Sequence, residues 1–113
     1  MKGATFTSYI RQGLHPALMS DECGGEPMQP RPVDSIASAW NEIEHGGTAP
    51  TGETVTFDVA LRMWTLWAAQ CTLQNFDRGS IAVGKLGDFA VLSGDSRQLR
   101  SSGLFDLSVT MTI

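Results

Sequence analysis

The hydrophobic period of this chain changes at residue 78, from 3.6 residues before it to 2 after it, and that switch limits the folds open to it. Before the switch, Phe57, Leu61, Trp64, Ala68 and Cys71 recur at i, i+4, i+7, i+11 and i+14, one face of a helix over roughly 57–72. Met63, Leu66 and Trp67 widen that face, so the helix expects cover on more than one side. After the switch, Phe89-Ala90-Val91-Leu92 reads as a short apolar strand ended by Gly94-Asp95. Phe105, Leu107, Val109, Met111 and Ile113 then alternate with Asp106, Ser108, Thr110 and Thr112, the pattern of a half-buried strand. Helices followed by strands, with no internal repeat, put both element types in one chain.

The remaining elements follow from punctuation. Residues 5–12 suit a short helix stopped by Gly13, and 16–19 a strand ending at Ser20-Asp21. Gly24, Gly25, Pro27, Pro30 and Pro32 force a loop over 22–32, long enough to suggest a functional role. Asp34 is placed to cap a helix to about Glu44, burying Val33, Ile36, Trp40 and Ile43. Gly46-Gly47 ends it, and Thr56 caps the next helix, with Asp58 favoured in its first turn.

Composition narrows the function. A chain of 113 residues is one domain at most, and 42% hydrophobic with 18% charged residues is globular composition. The net charge is −4 and the 8 basic residues are scattered singly, so no basic stripe addresses nucleic acid. No apolar run is long enough to span a bilayer, and Met1–Thr7 lacks the apolar core of a signal peptide. The expected setting is cytoplasmic. Cys23 and Cys71 lack the paired spacing of a zinc or redox motif. A disulfide is open on count alone, and two free buried thiols in a reducing compartment are the reading taken.

Gly79-x-x-x-x-Gly84-Lys85 matches most of a phosphate-binding loop, but Leu86 lacks the hydroxyl that holds magnesium. Its context is also reversed, since it follows a helix and opens a strand. A β-turn at Val83-Gly84 beside a solvated lysine is the better reading. His15 and His45 read as structural or solvated, and Trp40, Trp64 and Trp67, at helical spacing, as core rather than a ligand-stacking surface. Glu22 and Cys23 read as solvated loop residues that in an intact enzyme could line a substrate mouth.

Three blocks together resemble the metal-dependent amidohydrolases. Residues 79–95, Gly-Ser-Ile-Ala-Val-Gly-Lys-Leu-Gly-Asp-Phe-Ala-Val-Leu-Ser-Gly-Asp, are similar to that superfamily's G-S-I-x-x-G-K-x-A-D-[FL]-x-V-L segment, with Gly87 in place of the usual alanine. Ala60-Leu61-Arg62-Met63-Trp64-Thr65-Leu66-Trp67-Ala68-Ala69 resembles its A-L-R-x-x-T-x-x-A-A helix, followed here by Asn75-Phe76-Asp77. Gly13-Leu14-His15-Pro16-Ala17-Leu18-Met19-Ser20-Asp21 resembles its last barrel strand, which ends in S-D. Gly25-Glu26-Pro27-Met28 fits the following loop in the subgroup acting on N-substituted amides and formamides. The resemblance covers about residues 8–113.

The resemblance implies an α/β fold in which residues 1–78 are the last βα unit of a (β/α)₈ barrel and 79–113 part of the appended β-sandwich. It implies hydrolysis of an amide-type, non-peptide carbon–nitrogen bond in a small-molecule substrate, with a divalent metal, zinc first. Asp21 takes the role of the aspartate that binds the metal or its bridging water and accepts the water's proton. Lys85 and Asp88 are expected to stabilise the turn rather than to catalyse. The family's H-x-H pair, its bridging carboxylated lysine or glutamate, and two later histidines are expected before residue 1. The chain is therefore expected to be a C-terminal fragment that is inactive alone. A different reading is a small non-catalytic α/β module that binds a partner through its exposed strand at 105–113.

Overall fold

The computed structural model describes residues 6–19, 31–41, 43–44, 47–48, 55–96 and 106–113. In chain order the elements are α1 (Phe6–Arg11), α2 (Pro32–Asn41), β1 (Ile43–Glu44), β2 (Gly47–Thr48), α3 (Phe57–Trp64), α4 (Leu66–Cys71), β3 (Ala90–Leu92) and β4 (Val109–Thr112). β1 and β2 form one antiparallel pair, and β3 and β4 another. Among the described residues no helix is long and apolar enough to cross a membrane.

α1 stops where glycine was expected to stop it. Gly13 has φ +79°, its N–H bonds Ile10 O, and the N–H of Leu14 bonds Tyr9 O. These are the two bonds of a Schellman cap.

α2 begins two residues earlier than its expected cap. Pro32 takes the first helical position, where a missing N–H costs nothing. Asp34 is then inside the first turn, where its charge suits the helix dipole. Arg31 bonds both oxygens of Asp34, at 3.1 and 2.8 Å, and reaches Leu107 O at 2.9 Å. The carboxylate holds the Arg31 guanidinium above its ordinary pKa. This arginine joins the start of α2 to the approach to β4. The far end of α2 also differs from expectation, because Ile43–Glu44 leaves the helix to pair with Gly47–Thr48.

The helix expected over 57–72 is two helices. Thr56 caps α3 as expected, accepting from Val59 N–H. The break falls at Thr65, with φ −111° and ψ −85°. Its hydroxyl donates to Leu61 O at 2.8 Å, sharing that carbonyl with its own N–H, a form of back-bonding that often bends helices.

The core lies between α2 and these two helices, from Ile36, Ala37, Ala39, Val55, Ala60, Met63 and Trp67, with Leu107 added from the approach to β4. Met63 is fully buried. The stripe expected to be inside is only partly so. Leu61 and Cys71 are exposed, while the buried face runs through Ala60, Met63 and Trp67. Both faces are apolar in this sequence, and only packing against α2 selects between them. Of the three tryptophans, Trp67 is buried, and Trp40, tilted against Phe57 at 5.4 Å, is half-buried with Trp64.

β3 and β4 pair Ala90 with Thr112, Val91 with Met111 and Leu92 with Val109, so a bulge leaves Thr110 without a partner residue. Thr110 turns its hydroxyl to Val91 O. Among the described residues the expected half-buried strand is buried only at Leu107, with Val109, Met111 and Ile113 exposed; Phe105 lies outside the described residues. The bulge breaks the alternation between Val109 and Met111, because an extra residue reverses the facing of all that follow. Among the described residues no layer covers β4 on either face.

Candidate functional site

The segment linking the helices to the β3–β4 sheet is built around one lysine. α4 ends at Cys71 with Thr72 as its cap, after which Leu73 takes φ +57°. Leu73 N–H bonds Gln70 O and Gln74 N–H bonds Ala69 O, the same cap seen at Gly13 but with leucine in the left-handed position. The chain then curls through Asn75–Arg78 and returns along Gly79–Leu86. Leu86 N–H meets Asp77 O at 2.8 Å.

Lys85 sits inside this curl. Its Nζ donates to Asn75 O at 2.6 Å, Ser80 Oγ at 2.8 Å and Arg78 O at 3.2 Å. An ammonium has three protons, and three acceptors take them. The lysine is half-buried rather than solvated, which corrects that part of the turn reading. The turn itself is where the sequence placed it: Lys85 N–H bonds Ala82 O across Val83-Gly84, with Gly84 at φ +87°. Lys85 is therefore committed to its own backbone, and a phosphate-cradling role does not fit. Asp88 is exposed and makes no hydrogen bond or ion pair among the described residues, so a turn-stabilising part for it has no support there.

Gly79 seats this curl on the helix break. It has φ +85°, and a Cβ at this position would meet Ala69 Cβ at 2.7 Å, Leu66 Cα at 3.1 Å and Thr65 O at 3.1 Å. The backbone enters the notch opened at Thr65 because no side chain stands in the way.

The segment at 14–19 carries the second group of contacts. No strand is assigned to it among the described residues, where no neighbouring strand lies alongside to pair with it. It is held on the helices instead. The imidazole of His15 lies flat on the Trp67 indole, centroids 4.6 Å apart and planes 5° apart. Its Nδ1 pairs with Gln70 Oε1 at 3.0 Å. Leu18 N–H bonds Met63 O at 3.0 Å, one of the carbonyls in the last turn of α3. His15 thus has the structural role expected of it, and its partners were not foreseen. Trp67 and Gln70, at i and i+3 on one helix, were the signal that could have found them.

The remaining expected site residues, Asp21, Glu22, Cys23 and His45, lie outside the described residues. Cys71 is free and exposed, not buried as expected, because it stands at the open end of α4. Among the described residues no three His, Cys, Asp or Glu side chains group closely enough to hold a metal ion. The described part of the chain therefore does not by itself fit a resident metal.

No curated protein and no solved structure matches this chain in comparison. The model of the amidohydrolase family matches residues 4–113, nearly the full sequence. With a match of that extent, the chain belongs to the amidohydrolase family.

Proposed function

We propose that this chain is the C-terminal part of a metal-dependent hydrolase acting on amide-type, non-peptide carbon–nitrogen bonds of a small molecule. Residues 1–78 supply the last βα unit of its (β/α)₈ barrel, and residues 79–113 part of its appended β-sandwich. The observation that carries this reading is the family match over residues 4–113. The Lys85-centred curl supports it, since it carries the backbone from helices to sheet within the segment that resembles the family's crossing from barrel to sandwich.

Asp21 is the proposed catalytic carboxylate, accepting the proton of the attacking water, and the proposed ligand of a divalent metal, zinc first. The other donors are assigned to a part of the enzyme outside this chain, which is why the chain alone is proposed to be inactive. The free thiol of Cys71 suits a reducing, cytoplasmic setting. In protein expressed from the full source reading frame, Asp21→Asn is expected to lower turnover of an N-acyl amide or formamide by about 10²–10⁴-fold. The melting temperature should stay as it was. Retained turnover would remove Asp21 from the chemistry.

One observation favours a second reading. β4 is exposed along its whole length, as a strand that adds to a partner's sheet would be. A non-catalytic module of this kind should melt cooperatively as an isolated monomer or defined oligomer; a broad, non-cooperative melt would sink it.

A further inference from the structure

We draw no further inference here: the strongest candidate, the open apolar groove between α2, α3, the start of α4 and β3 lined by Val33, Ile36, Phe57, Leu61, Leu66 and Leu92, carries nothing because nothing in the structure shows what covers it.

Discussion

Gly79 lies so close to Ala69 that a Cβ on the glycine would stand 2.7 Å from the alanine's own Cβ. Such an approach is closed to any other residue type. It joins the sheet-bearing end of the chain to the break between α3 and α4, and the consequences are measurable.

Gly79→Ala combines a left-handed backbone with a collision against Ala69 and the Thr65 carbonyl. The expected loss of stability is about 2–4 kcal/mol, from left-handed strain together with overpacking. Gly84→Ala is the control, because Gly84 has φ +87° but open space around it. That change should cost only about 1–2 kcal/mol. Urea denaturation of both variants gives the comparison, and equal losses would refute the steric part of the account.

Leu73 occupies the position in the α4 cap that Gly13 occupies after α1. Its side chain is 80% exposed, so replacing it forfeits little burial. Leu73→Asn should raise stability by about 0.5–1 kcal/mol, since asparagine tolerates the left-handed region better. An unchanged or lower denaturation midpoint would show that the leucine makes contacts worth more than its strain.

Lys85→Met keeps most of the aliphatic stem and removes the ammonium that holds Asn75 O, Arg78 O and Ser80 Oγ together. A loss of about 1.5–3 kcal/mol is expected, the usual range for hydrogen bonds that involve a charged group. Limited proteolysis should then cut first within residues 75–86. Cleavage that starts elsewhere would mean that the curl holds without its lysine.

His15→Phe and His15→Ala separate the two contacts made by the imidazole. Phenylalanine can still stack on Trp67 but cannot bond Gln70 Oε1. The alanine variant should therefore lose about 0.5–1.5 kcal/mol more than the phenylalanine variant, the typical worth of an aromatic pair. Tryptophan emission should shift in the alanine variant. Indistinguishable variants would place the stability in the Leu18–Met63 backbone bond.

How much of this was legible in the sequence depended on whether the signal was local. The cap at Thr56, the stop at Gly13 and the turn at Val83-Gly84 are each decided by a few neighbouring residues, and each is where the pattern put it. The long helix over 57–72 failed at Thr65, because a threonine that back-bonds Leu61 looks no different in sequence from one that points to solvent. Of the candidate site, Lys85 was readable as a turn residue, but its three acceptors come from positions 75, 78 and 80 only after the chain has curled.

The sequence by itself determined the stop at Gly13, the cap at Thr56, the change of period at residue 78, and membership of the amidohydrolase family through residues 4–113. These rest on residue type and spacing, which exist before folding. Tertiary structure alone decided that Ala60, Met63 and Trp67 face inward rather than Leu61 and Cys71, and that Val109, Met111 and Ile113 stay exposed. The physical reason is common to both. An apolar residue is buried only where another surface meets it, and the sequence pattern states the appetite for burial without naming the partner.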